Sequence, residues 1–223
     1  MAALTVAHRG DPYLHRENTL PSLASAVRAG ADAVEMDVRL TSDGIPVLLH
    51  DPTLKRLWGH AVAVADLSCE RVRQLTGGGV PTLDEALGAV EGARALLDLT
   101  LPESADAVLD SVRSCGAGTR TYYCGETTAL LAVRDRDPDA EIALTWKSST
   151  PPPSAVIDEV RPRWLNLRFG LGRPELVHWA HERGLLVAVW TADTRRTMRR
   201  LHRMGVDSIT TNRVSTLRRL LDG

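Results

Sequence analysis

Two histidines, three carboxylates and an arginine recur in this chain at positions where strand ends could bring them together: His8-Arg9, Glu35, Asp37, His50 and Asp98. Glu35 and Asp37 stand two apart in Ala33-Val-Glu-Met-Asp-Val38, so on a strand both point to one side and their apolar neighbours to the other. Two carboxylates held together away from water repel each other and lose hydration unless something neutralises them. A hard divalent cation with oxygen ligands, Mg²⁺ or Ca²⁺, is the simplest resolution, with Asp98 as third ligand. The plainer reading has one carboxylate capping a loop and the other pairing with Arg9 or Arg39. His8 and His50 titrate near neutrality and can give or take a proton there. Arg9 offers a planar fork that matches phosphate oxygens; its plainer role is an ion pair with Glu17 or Asp37. Together these groups describe metal-assisted acid/base chemistry on a phosphate ester.

Side chains so far apart in sequence need a scaffold that gathers strand ends. β-type runs occur at 4–8, 33–38, 94–99, 119–124, 141–146, 163–168, 185–190 and 206–211. Several are continuously apolar, as parallel strands covered by helices are. Helical segments fall between them: 19–29 with Gly30 as its stop, one opened by the capping box Thr82-Leu-Asp-Glu85, then 103–114, 126–136, a short one in 151–160, 174–183, 194–204 and 213–221. Eight such units predict a single α/β domain over residues 1–223, a (β/α)₈ TIM barrel; an open doubly wound sheet is the competing arrangement. In a barrel the site lies at the C-terminal strand ends, where His8, Glu35, Asp37, Asp98 and Trp190 all fall. His50 arrives by another route. Asp43-Gly44 between β-type flanks marks a β-hairpin elaboration after the second strand. A two-residue turn there pairs Ser42 with Ile45 and sets His50 directly opposite Asp37.

Bulk composition narrows the function classes. With 43% apolar residues the 223-residue chain can bury one large core. Its 27 basic and 28 acidic residues give a net charge of −1, which argues against a general electrostatic grip on nucleic acid or anionic membrane and leaves only a local basic pocket. Three cysteines at irregular spacing form neither a disulfide framework nor a zinc site. No run of apolar residues is long enough for a membrane span, and Met1-Ala2-Ala3-Leu4 lacks the basic start of a leader, so a cytoplasmic location is expected. His178 and His181, three apart on a helix, read as an outer-surface pair rather than a chelate. Gly77-Gly78-Gly79 has no strand before it and is poor material for a phosphate loop.

His8-Arg9-Gly10, Glu17-Asn18-Thr19, Glu35-Met36-Asp37-Val38 and Thr41-Ser42-Asp43-Gly44-Ile45-Pro46-Val47-Leu48-Leu49-His50-Asp51 closely resemble the glycerophosphodiester phosphodiesterases. Pro81-Thr82-Leu83, Val189-Trp190-Thr191 and Gly205-Val206-Asp207 leading to Thr211 resemble the later landmarks of that family. The resemblance implies a (β/α)₈ barrel that uses a divalent metal to hydrolyse small glycerophosphodiesters to sn-glycerol 3-phosphate and an alcohol. It implies His8 and His50 as the acid/base pair, Glu35 and Asp37 as metal ligands, Arg9 as the phosphate contact and Trp190 as the wall beside the glycerol. Glu17 and Asn18 would order the loop and rim. Roughly thirty residues separate His50 from Pro81, too few for the insertion domain some members carry.

The departures from the family pattern are specific. The third ligand is usually Glu in a Glu-x-Lys pattern, whereas this chain has Asp98-Leu99-Thr100; sphingomyelinase D-type barrels resemble it in using Asp. Losing a cation aimed at phosphoryl oxygens commonly costs on the order of 3 kcal/mol in the transition state. Lys147, after the fifth run, and Arg168, ending the sixth, are the cations placed to replace it. Asn212 and Asp193 stand where the family has Asp and Asn, which bears on glycerol recognition more than on the phosphodiester. Two rival functions follow. One is a lysophospholipase D- or sphingomyelinase D-like phosphodiesterase, against which the chain shows no apolar loop run suited to a lipid surface. The other is a catalytically impaired barrel that binds a phosphorylated ligand.

Overall fold

The computed structural model describes residues 3–222; Met1 and Ala2, on which the leader reading partly rests, and Gly223 lie outside them. The strands are β1 (Leu4–His8), β2 (Ala33–Leu40), β3 (Pro46–Leu48), β4 (Arg94–Leu99), β5 (Thr121–Gly125), β6 (Ala143–Trp146), β7 (Trp164–Arg168), β8 (Leu186–Trp190) and β9 (Ser208–Thr211). Eight of them pair in parallel in the order β5-β4-β2-β1-β9-β8-β7-β6, and β3 hangs antiparallel on β2. A parallel bridge between Tyr123 and Ile142 links β5 to β6 across the seam, so the sheet curls into the expected (β/α)₈ barrel rather than an open doubly wound sheet.

Helices cover the outside: α1 (Leu20–Arg28), α2 (Lys55–Trp58), α3 (Cys69–Thr76), α4 (Leu83–Ala89), α5 (Ala105–Ser114), α6 (Thr127–Arg136), α7 (Ser154–Val160), α8 (Pro174–His181), α9 (Arg195–Met204) and α10 (Val214–Leu221). The local sequence explains their starts. Thr82 Oγ1 accepts from Glu85 N while the Glu85 carboxylate accepts from Thr82 N, a complete capping box. The outward side chains of the strands, such as Ala7, Val34, Met36 and Leu97, are fully buried against these helices. At about 1.5–3 kcal/mol for each large apolar side chain, this layer is the main source of stability.

The inward side chains alternate with them and form layers. Val6 is level with Ala33, and His8 with Glu35. Asp37 is level with Asp98, and Asp98 with Cys124. The lower layers are plugged by Val6, Ala33, Leu96, Tyr122, Ala143, Trp164 and Ala188. Toward the C-terminal ends the inward positions turn polar, with His8, Glu35, Asp37, Asp98, Asn166 and Thr210 lining the end of the barrel that a ligand can reach.

The hairpin differs from the two-residue turn expected. Thr41 N donates to Ile45 O, and Gly44 N donates to Thr41 O, so the loop is Ser42-Asp43-Gly44. Gly44 takes the left-handed conformation (φ 75°) that closes such a three-residue loop. The extra residue shifts the pairing by one. Val38 faces Leu48, and Leu49 N donates to Asp37 O, so Leu49 rather than His50 stands opposite Asp37. Asp43, which the two-residue reading used only as a turn former, accepts a hydrogen bond from Cys69 N at 3.0 Å and ties the hairpin tip to α3.

Residues 46–80 then fold into a small lobe with its own core of Val47, Leu49, Leu54, Val64, Val72 and Val80. Gly77 ends α3, and Gly79 packs so closely under the Trp58 ring that a Cβ would lie 1.9 Å from it. The triple glycine thus serves chain geometry.

Candidate active site

One cavity at the C-terminal end of the barrel is lined by His8, Arg9, Glu35, Asp37, His50, Asp98 and Trp190, the residues given catalytic, metal or substrate roles from the sequence. Glu35, Asp37 and Asp98 each bring a carboxylate oxygen within 4.8 Å of the other two. Burial, then the charges of Asp37 and Asp98, push Glu35 well above the ordinary carboxylate range. Burial and Asp37 raise Asp98 to about 6. Asp98 Oδ1 is buried without a hydrogen-bond partner among the described residues. Three crowded carboxylates, one with an orphaned oxygen, form a donor set that fits a hard divalent cation. Gly125 makes room for it: a Cβ there would lie 2.7 Å from Asp98 Oδ1 and 1.9 Å from Leu99 O.

Arg9 and Asn18 frame the carboxylates from the β1–α1 loop, both with left-handed backbones (φ 57° and 55°) that non-glycine residues seldom adopt. Hydrogen bonds hold them there. Arg9 N donates to both the backbone oxygen and Oε2 of Glu35 at 3.0 Å, and Asn18 N donates to Arg9 O. Asn18 Nδ2 donates to Asp37 Oδ2 at 2.7 Å. The Arg9 guanidinium forms both ion pairs named in its plainer reading: Nη1 to Glu17 at 2.9 Å, and Nε 2.9 Å from Asp37 Oδ2 but off the N–H axis. Nη2 makes no hydrogen bond among the described residues and remains for a ligand.

The two imidazoles are held differently. His8 is mostly buried, and its Nδ1 lies 2.9 Å from Asn212 Oδ1. Asn212 Nδ2 donates to Asp193 Oδ2 at 2.8 Å, which turns the amide oxygen toward His8. His8 therefore carries its hydrogen on Nδ1 and presents the Nε2 lone pair, 4.0 Å from Glu35 Oε2. Burial, then the nearby Arg9 charge, lower its pKa below the usual histidine value, so the ring is neutral at pH 7. His50 is half exposed, with Nδ1 2.7 Å from Asp51 Oδ1. The Asp51 carboxyl is held down at about 2, chiefly by hydrogen bonds from Arg56. Arg56 also reaches Glu17 at 2.6 Å, so Arg9, Glu17, Arg56, Asp51 and His50 form one chain of contacts around the rim. From the other side, Arg39 Nε donates to His50 O at 3.0 Å.

Several wall residues escaped the sequence reading. Asn166 Nδ2 and Gly125 N both donate to Thr145 Oγ1, and Thr210, Cys124 and Glu126 complete the wall. Strand parity was the signal that could have found them: Asn166 and Thr210 are the polar inward positions near the ends of β7 and β9. Lys147 lies on the cavity wall, pairing with Glu126 at 2.5 Å, and Thr100 lies there too. Arg168 is exposed and does not line the cavity. His178 and His181 pair with Glu182 and Asp207 on the surface, as expected of a noncatalytic pair.

The fold is thus an eight-stranded α/β barrel whose C-terminal end gathers three carboxylates, two histidines and an arginine around one cavity. Residues 8–216 match the model of the glycerophosphoryl diester phosphodiesterase family, and the chain belongs to that family. It is 26% identical over 235 residues to the glycerophosphodiester phosphodiesterase of Caldanaerobacter subterraneus subsp. tengcongensis, covering 97% of each. The crystal structure of the glycerophosphodiester phosphodiesterase of Thermotoga maritima superposes with a TM-score of 0.87 at 25% identity, covering 99% of each chain. A phosphodiesterase of Oleispira antarctica, solved in complex with its product sn-glycerol-3-phosphate, shares the fold with a TM-score of 0.92 at 20% identity, covering 100% of this chain and 98% of that one.

Proposed function

We propose that the chain hydrolyses glycerophosphodiesters to sn-glycerol 3-phosphate and an alcohol. The observation that carries this reading is the meeting of a neutral, oriented imidazole, a second imidazole and three crowded carboxylates in one cavity. Glu35, Asp37 and Asp98 would hold a divalent cation, Mg²⁺ or Ca²⁺. Such an ion supplies positive charge to the phosphoryl oxygens and relieves the crowding of its ligands.

The chain's own residues perform the proton steps. His8 Nε2 takes the proton of the attacking hydroxyl: that of water, whose new P–O bond gives glycerol 3-phosphate directly, or the substrate's neighbouring hydroxyl, which gives a cyclic phosphate that water must then open. The P–O bond to the alcohol breaks, and the leaving oxygen takes a proton from His50, whose other nitrogen rests on Asp51. Arg9 Nη2 holds one non-bridging oxygen. Lys147 leaves Glu126 to meet another; both side chains are exposed enough to move, at 67% and 49%. Lys147 would thereby supply the charge that Thr100 does not. Trp190 forms the wall beside the glycerol.

The deciding assay couples release of glycerol 3-phosphate to a dehydrogenase, with glycerophosphocholine, glycerophosphoethanolamine and lysophosphatidylcholine as substrates. Release from the first two, abolished by EDTA and restored by Mg²⁺ or Ca²⁺, is expected. Release that ignores EDTA removes the metal from the mechanism, and no release from either removes the activity.

A further inference from the structure

Positive charge is concentrated on one flank of this nearly neutral chain. Helix α9 reads Arg-Arg-Thr-Met-Arg-Arg-Leu-His-Arg-Met, with no acidic residue. Arg195 and Arg199 of α9 share a groove with Thr216, Arg219 and Leu220 of α10. Arg195, Arg196, Arg199, Arg203, Arg213 and Arg219 are exposed, and among the described residues none has a carboxylate within 4.0 Å. Arg218 alone in this group is paired, with Asp32 and Asp222.

This flank runs into an apolar rim. The Arg213 guanidinium lies 4.6 Å from the Tyr13 ring centroid. Tyr13 is 59% exposed and its neighbour Leu14 71% exposed. Leu14 is held in that position: Leu14 N and His15 N both donate to Asp11 O, and Asp11 is anchored by Ser22 and Ser25. Among the described residues, the other exposed large apolar side chains are Ile45 and Leu101. All four lie on segments that leave the C-terminal ends of β1, β2 and β4, the face on which the cavity opens. The sequence shows no apolar run because these side chains come from three separate loops.

Basic charge beside ordered, exposed aliphatic groups is the pairing that binds a lipid interface, where each arginine near an anionic surface is worth roughly fivefold in affinity and an inserted leucine adds to it. Nucleic acid would use the charge but has no place for Leu14, Ile45 or Leu101, and single strands call for a row of stacking aromatics that is missing among the described residues here. We propose that the rim of Tyr13 and Leu14, together with the arginines of α9 and α10, docks on an anionic phospholipid bilayer, turning the cavity mouth toward the membrane.

The test is co-sedimentation of the full chain with phosphatidylcholine vesicles, with and without phosphatidylglycerol, at ~0.15 M salt. Binding only in the presence of phosphatidylglycerol is expected. Arg195→Glu/Arg199→Glu/Arg219→Glu should weaken it by about a hundredfold or more, and Leu14→Ser by about tenfold. Arg113→Glu/Arg136→Glu, on α5 and α6, should bind as the native chain does. Thermal melts confirm that each variant is folded; if the triple glutamate variant is not, Arg195→Gln/Arg199→Gln/Arg219→Gln replaces it, with a loss of about a hundredfold. Equal binding to neutral vesicles, indifference to the α9–α10 or Leu14 changes, an equal loss from the α5–α6 change, or tighter retention on polyuridylate than on phosphatidylglycerol each overturns the proposal. None of these readouts depends on turnover.

Discussion

Replacing Asp98 by asparagine separates the two things its carboxylate does. Burial and the charge of Asp37 raise its pKa to about 6, against 3.8 in a free chain. A carboxyl with a folded pKa above its unfolded one binds its proton more tightly when folded. The metal-free chain therefore loses stability as the pH rises from 3.8 to 6, and the full loss persists above that window. The difference, 6 − 3.8 = 2.2, corresponds to about 3 kcal/mol at 1.36 kcal/mol per unit. Glu35, raised well above its ordinary value by burial and the charges of Asp37 and Asp98, acts in the same direction. In EDTA near pH 7, Asp98→Asn should therefore be more stable than the native chain by up to about 3 kcal/mol and melt at a higher temperature, and the two should converge near pH 4. With Mg²⁺ or Ca²⁺ the order reverses. The native chain gains melting temperature, and its apparent affinity for the ion rises about tenfold from pH 5 to pH 7, because at the lower pH the ion displaces a proton held at about 6. The variant, with one ligand gone, gains little. Melting curves in EDTA and in either ion at both pH values are sufficient. A variant less stable than the native chain in EDTA near pH 7, yet equally stabilised by the ion, would refute the crowding and the ligand assignment together.

Other changes bear on the remaining groups. His8→Ala and His50→Ala should each lower kcat about a hundredfold or more with melting temperature unchanged, and the acid limb of kcat/KM should fall below 6.5 because burial and Arg9 depress His8. Lys147→Met should lower kcat/KM roughly a hundredfold, the value of one oriented donor, while Glu126→Gln, which releases the lysine, should retain or raise it; equal losses in both would make the pair a structural clasp. Gly125→Ala should cost more than about 2 kcal/mol on denaturant titration and blunt the cation-induced rise in melting temperature, since its Cβ would collide with Leu99 O and crowd Asp98.

Strand periodicity makes much of this site legible in the sequence. Glu35 and Asp37 share a side of β2, Asp98 ends the neighbouring strand, and a closed barrel leaves them one place to meet. The hairpin register was not legible, because Asp43-Gly44 serves a two-residue and a three-residue loop equally well, and the choice rests on Thr41 pairing with Ile45. His50 still lines the cavity, but as the residue after the strand pairing rather than within it. The support of His8 was hidden for another reason: Asn212 and Asp193 are 19 residues apart on different strand ends, and only the adjacency of β8 and β9 joins them. Lys147 and Arg168 could both be placed at strand ends from the sequence; that Lys147 lines the cavity while Arg168 is exposed outside its lining could not.

The lobe at residues 46–80 has a further consequence. His8 and the carboxylates are mounted on the barrel wall, whereas His50 stands at the entrance to a unit with a separate apolar centre built on Val47, Leu49, Leu54, Val64, Val72 and Val80. Such a unit can open on its own, below the threshold for melting the whole molecule. Amide exchange in α3 should then run faster than in β2 or β4, and each excursion would withdraw one of the two proton carriers while the other stays in register.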